Sequence, residues 1–351
     1  MALPTDTRLI DDLVSSTLDN CLSEVTDEIY NTNAYWQKMY QRNEGGQRTI
    51  ITGGAEIKVP ILYDSLPAYE FGPDDSFGTK ETEDITDLQF QYKDCVSELN
   101  LSPKKIQQNI ANGNRFMIWD YLNTKARNAW MSLQDLMGFQ TYSTTRDPST
   151  GNTIARVPTQ LSWDGIYNGI ADSTGSFTTY GQILRTATGF GTPGFCINAK
   201  VVNAQNKPLN LSLLAYAFGL CVYDQVKPDV AFTTQDTWND LANRVQPQDR
   251  NAPGPLRDVG FDTINYRGME IIPDSHVLPG DFWGVNTGYW RIYLLEGRDM
   301  IRRSRTYGGY DKGFPLPNQD KLVDQLLISG DNVCMGPRMN FRISNIAVTQ
   351  V

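Results

Sequence analysis

The stretch from Ser102 to Gly138 limits the fold more than any other. Ser102-Pro103 is a strong helix start, with Ser as N-cap and Pro at the first helical position. Ile106, Ile110, Ile118, Leu122, Ala126, Ala129, Leu133 and Leu136 then follow helical spacing as far as Gly138. A continuous helix over 103–138 would run about 54 Å at 1.5 Å per residue. A compact globule of 351 residues has a radius of gyration of about 20 Å, so such a helix would cross its full width. The expectation is a flat, elongated molecule. Gly113, between two Asn, is where the helix would break, leaving a main piece of about 38 Å.

Two extended segments precede this helix. Residues 48–63 contain TIITGG and AEIKVPILY, and 88–101 read LQFQYKDCVSELNL, with β-favouring residues in near alternation. The loop between them, 64–87, carries the acids Asp64, Glu70, Asp74, Asp75, Glu81, Glu83, Asp84 and Asp87 against one base, Lys80. A two-stranded ribbon is marginal in water when neither face is covered. It either packs on its own domain or serves as an arm for another subunit. Further upstream, Ile10, Leu13, Leu18, Leu22, Val25 and Ile29 predict a polar helix over 5–42 with one narrow apolar stripe.

Beyond the long helix, 141–208 are rich in Gly, Thr, Ser and Asn and read as strands and loops. From Leu209 helix and strand alternate. A buried helix is expected over 209–226, a strand over 229–232, and a helix capped by Thr233 or Thr234 that runs to Val245. Strands are expected at 259–272, 281–286, 290–295, 300–305 and 322–329. A closing hairpin over 332–348 would turn at Gly336-Pro337.

Charge narrows the list of partners. The chain carries 40 acids and 31 bases, a net charge of −9. Tight phosphate-backbone binding needs clustered Lys and Arg, so nucleic acid is expected as a neighbour rather than a tightly held ligand. The densest basic run, Arg298, Arg302, Arg303 and Arg305, alternates faces as a strand and suggests an intersubunit ion-pair surface. The start MALPTDTRLI has no apolar core of a secretory signal, and Leu209–Tyr223 is too short to span a bilayer. The five cysteines (21, 95, 196, 221 and 334) lack a C-x-x-C pair and are expected as reduced thiols, not a disulfide or zinc framework.

Motifs for chemistry are sparse. The single histidine, His276 in IIPDSHVLPG, has no nucleophile at a recognisable spacing, so a packed or surface role is expected. GFGTPG places Gly189, Gly191 and Gly194 as G-x-G-x-x-G, but Pro193 and the following strand-like FCINAKVV make it a glycine-rich turn. The acidic loop lacks the ligand spacing of a calcium loop. No catalytic residue, cofactor or metal is expected.

The order of these parts resembles the major capsid proteins of tailed double-stranded DNA bacteriophages, an α+β fold of the Hong Kong 97 type. GGAEIKVPILY and FQYKDCVSELNLS look like the two sides of that family's E-loop. ANGNRFMIWDYLNTKARNAWMSLQDLMGF looks like its spine helix, and LSWDGIYNGIADSTGSFTTYGQI like the segment that follows. KPDVAFTTQDTWNDLANRVQPQDR with VGFDTINYRGMEIIPD looks like the axial strand, helix and hairpin; GDNVCMGPRMNFRISNIAV looks like the closing strands. The resemblance implies an N-terminal arm at 1–47, an E-loop at 48–101, a peripheral domain at 102–208 returning at 321–351, and an axial domain at 209–320. It implies hexamers and pentamers closing into an icosahedral shell around double-stranded DNA. Scaffold, portal and cement proteins would be partners, the host cytoplasm the place of assembly, and the virion the final location, with no membrane. Contacts between subunits would use Asp74, Asp75, Lys80, Glu81, Glu83 and Asp84 against Arg298, Arg302, Arg303 and Arg305. Lys80 is the only lysine of the loop, and no asparagine matches the family's cross-linking partner, so non-covalent locking is expected. Two alternatives remain: an encapsulin-like compartment, and an αβ enzyme built on 209–305.

Overall fold

In a computed structural model, the residues described are 33–40, 47–101 apart from 67, 69, 71 and 73–83, 115–189 apart from 151 and 176, 192–193, 196–244, 264–315 apart from 304, 308–309 and 313, and 322–347. The expected apolar stripe from Ile10 to Ile29 lies outside them, as do the first residues of the long helix. By packing, the chain falls into two compact units: 1–53, 93–139 and 294–330; and 54–92, 140–293 and 331–351.

A six-stranded sheet has most of its strands in the first unit. Its long strand, Leu322–Cys334, pairs antiparallel with Lys93–Leu101, Ile301–Arg303 and Phe314–Pro315. Trp290–Leu295 also pairs with the long strand and carries Arg48–Ile51 at the edge. The segments 48–51 and 93–101, expected to be one ribbon with their neighbours, are therefore members of this sheet. Before them, the helix Ala34–Tyr40 starts at Asn33, whose side chain accepts from the Trp36 amide at 3.2 Å. Its Tyr35, Trp36, Met39 and Tyr40 are buried. Asp299 anchors this helix to the sheet, accepting from the Tyr40 hydroxyl and pairing with Arg48.

The long helix is described from Arg115 to Tyr142. At 28 residues it spans about 42 Å. Ala126, Ala129 and Leu133 are buried as the stripe requires. It runs through Gly138, where the sequence suggested an end, because Phe139 and Tyr142 continue the buried face. One helical Gly costs only about 1 kcal/mol, less than those two burials return. The helix stops at Ser143, which takes the left-handed conformation (φ 55°) typical of a C-terminal cap.

The second unit holds a mixed sheet in the order Lys200–Lys207, Phe341–Ile346, Phe282–Val285, Val230–Thr233, Met269–Pro273, Ile264–Tyr266. The first two strands run parallel, as do Val230–Thr233 and Met269–Pro273. The helices Leu211–Cys221 and Gln235–Arg244 contribute Leu214, Ala217, Phe218 and Leu241 to one core with Ile271, Phe282, Phe341 and Ile343. Asn210 caps the first, accepting from the Leu213 amide at 2.7 Å. That helix ends five residues earlier than the apolar run suggested, because Tyr223 and Val226 close a tight turn through Asp224 at φ 52°. Nor is 332–348 a hairpin. Leu322–Cys334 and Phe341–Ile346 belong to different sheets, separated by a short 3-10 turn at Pro337–Met339.

Candidate functional site

The ribbon proper is Glu56–Leu62 paired with Ile85–Gln91, in a register that sets Ile57 opposite Phe90, Val59 opposite Leu88 and Leu62 opposite Ile85. Because side chains alternate, Ile57, Val59, Leu88 and Phe90 share one face, and all four are buried. Of the two roles the sequence left open, packing on its own chain holds for this face. Phe90 stacks edge-on against Tyr180 at 5.3 Å, and the Gln89 amide donates to the Gly181 carbonyl at 3.1 Å. Gly181 has φ 53°, and a Cβ there would lie 2.7 Å from Leu88 Cδ2, so only glycine lets the ribbon seat this closely.

That seat is held rigidly. The Tyr180 hydroxyl donates to the Cys334 carbonyl at 3.1 Å and accepts from the Cys334 amide at 2.7 Å. Arg185, fully buried, lies over the Tyr180 ring at 5.3 Å. Its guanidinium donates to the carbonyls of Ala171 (2.9 Å), Ile197 (2.6 Å) and Asn168. Burial lowers the Arg185 pKa and raises that of Tyr180. The alternation in EIKVPIL and LQF was the signal for this seat; nothing in the sequence named Arg185 as part of it.

Past the seat the polarity reverses. Leu62 and Ile85 form an exposed apolar pair on the opposite face, and Leu66 is exposed beyond them. Asp84 is half-buried at this end, its carbonyl accepting from the Tyr63 and Asp64 amides at 2.8 and 3.3 Å. Asp74, Asp75, Lys80, Glu81 and Glu83 lie outside the described residues.

The arginine run is divided. Arg298 follows a glycine turn and pairs with Asp94 of its own unit at 3.3 Å, both exposed. Arg302 and Arg303 stand opposite Leu326 and Gln325 in the six-stranded sheet. Arg305 belongs to a separate ladder, opposite Lys312. The four are thus spread over a turn and two strand pairs, not one continuous strand, and Arg298 already has an acid partner.

The residues weighed for chemistry are structural in their surroundings. His276 is buried, with Nδ1 at 2.8 Å from Asp274 Oδ1, while the other carboxylate oxygen accepts from the Tyr142 hydroxyl at 3.1 Å. Its carbonyl accepts from Thr144 Oγ1 at 2.6 Å. The glycine-rich string forms a short antiparallel ladder, Thr188–Gly189 with Thr192–Pro193. Burial pushes the Cys221 and Cys334 thiols up to about 12. Among the described residues no group of three acid, His or Cys side chains is placed to hold a metal, and no helix is long and apolar enough to cross a membrane.

No family model matches the sequence, and no curated protein matches it. Solved structures do. The cyanophage A-1(L) capsid asymmetric unit superposes with a TM-score of 0.64 at 12% identity, over 90% of this chain and 93% of that one. The capsid of a native GTA particle gives 0.51 at 7% identity, covering 86% and 88%. The SrpI encapsulin complex from Synechococcus elongatus PCC 7942 gives 0.50 at 10% identity, covering 87% and 86%. The chain has the Hong Kong 97-type capsid fold, as its sequence resemblance implied.

Proposed function

We propose that this chain is the major capsid protein of a tailed bacteriophage, a structural subunit that assembles as hexamers and pentamers into an icosahedral shell around double-stranded DNA. One observation carries the reading: nine-tenths of the chain follows the fold of a cyanophage capsid subunit. The ribbon supports it, because its distal apolar pair, Leu62 and Ile85, has no cover within the described chain. In this role 1–47 is the arm, 48–101 the E-loop, 102–208 with 321–351 the peripheral domain, and 209–320 the axial domain.

The acidic loop, with Asp74, Asp75, Lys80, Glu81, Glu83 and Asp84, meets a neighbour's cationic surface, for which Arg298, Arg302, Arg303 and Arg305 are the candidates, Arg298 exchanging its exposed contact with Asp94 for the neighbour's acids. Exposed ion pairs contribute only about 0–1 kcal/mol each, so they set register more than strength. The net charge of −9 keeps packaged DNA from adhering. Scaffold, portal and cement proteins complete the particle, assembly takes place in the host cytoplasm, and no catalysis is assigned to the chain.

Negative-stain microscopy of the expressed protein, with scaffold supplied, tests this. Uniform polyhedral shells or tubes are the expected outcome, and a stable monomer at high concentration sinks it. The encapsulin match adds a second arm to the same experiment. Particles that enclose a protein cargo and never DNA would assign the compartment role instead.

A further inference from the structure

The helix Leu211–Cys221 is apolar on two sides. Leu214, Ala217, Phe218 and Cys221 stand at i, i+3, i+4 and i+7 and fill the core beneath. Ser212, Tyr216, Gly219 and Leu220 stand at i, i+4, i+7 and i+8 on the opposite side, and all four are exposed. Tyr216 is 61% exposed and Leu220 40%; Tyr223, just beyond the helix end, is 53% exposed. A helix that is hydrophobic all round is ordinarily buried all round. This one is buried on one side only.

We infer that the outer side of this helix is an interface with a second copy of the chain, within the assembly proposed above. Charge selects that occupant. From Pro208 to Tyr223 there is no charged side chain, in a chain whose net charge is −9. Copies that each carry a net charge of −9 repel, and the outer side of a helix without charged side chains is where they approach at least electrostatic cost. Nucleic acid is the wrong partner for it, because the helix itself offers no cation to a phosphate, and Arg338, just past its end, is already stacked over the Tyr223 ring at 4.7 Å. Gly219 adds a steric argument. A Cβ built on it meets nothing within 4 Å, so the glycine answers no need of its own chain and leaves room for a close approach from outside. The Tyr-rich, Lys- and Glu-free composition also matches the core of a protein–protein contact rather than a free surface.

The test uses the full chain carrying either Tyr216→Glu with Leu220→Glu, or Gly219→Trp. Far-ultraviolet dichroism and thermal unfolding of the unassembled species are expected to match wild type, with at least a ten-fold loss of assembled material in sedimentation. Variants that assemble as wild type overturn this interface and leave the capsid reading intact. A wild-type chain that never assembles overturns both. Tetranitromethane nitration of the wild type makes the result independent of variant folding. Tyr216 and Tyr223 are expected to lose at least ten-fold in labelling on assembly. Equal labelling, or protection only after a scaffold protein is added, overturns the contact between copies.

Discussion

Asp147 closes the short hairpin of Thr144–Arg146 and Thr153–Ala155 by accepting from the Ser149 amide (2.9 Å), the Ser149 hydroxyl (2.7 Å) and the Thr150 hydroxyl (2.8 Å). These bonds, the Ser149 amide foremost, lower its pKa to about 2. A depressed carboxyl pKa means that the ionised group favours the folded turn. The contribution is present above about pH 4, the ordinary Asp value, and is lost as pH falls through about 2. A carboxyl titration followed by NMR is expected to show a midpoint near 2, and a midpoint near 4 refutes the turn geometry. Arg185 makes the second residue-scale claim. Arg185→Met removes the donors to two buried carbonyls, each worth about 1–3 kcal/mol when left bare, and to the half-buried Asn168 carbonyl. A loss of about 3–5 kcal/mol in denaturant unfolding is expected, and less than 1 kcal/mol refutes the pin.

At the scale of elements, the ribbon divides into a seated half and a free end, and the two respond differently to change. Gly181→Val forces a side chain onto Leu88 and strains a positive φ, so a destabilisation of about 2–4 kcal/mol is expected. Replacing 67–83 by a short Gly-Ser turn leaves every ladder pair in place. Its expected effect on thermal unfolding is within about 0.5 kcal/mol, while closed shells fail to form. Unfolding of the unassembled chain by that replacement would place the loop in the chain's own core. These two experiments separate the ribbon's part in the subunit from its part between subunits.

For the whole molecule the sign of the charge decides how assembly answers to salt. Copies at net −9 repel, and raising ionic strength shortens the Debye length from about 10 Å at 0.1 M to about 3 Å at 1 M. If apolar faces such as that around Tyr216 hold the shell, light scattering is expected to show faster assembly in 0.5 M than in 0.05 M NaCl. Shells that dissolve in the higher salt would instead give the leading part to ion pairs between the acidic loop and the arginine strands.

The sequence by itself located many of the described helices and strands, though not all their ends, because those follow from local spacing. The stripe Ala126, Ala129, Leu133 lies buried, the turn at Gly189 forms its ladder, and the alternation of Ile57 with Val59 and Leu88 with Phe90 defines a face. Only the tertiary structure decided what those faces meet. That Tyr180 and Gly181 cover the ribbon, that Arg185 pins the cover, that 332–348 splits between two sheets, and that the apolar helix Leu211–Cys221 has a bare second side are all facts of long-range pairing. A period in the sequence reports that a side chain needs cover. It carries no record of which distant residue supplies that cover, because the partner is chosen by the free energy of the whole packed chain.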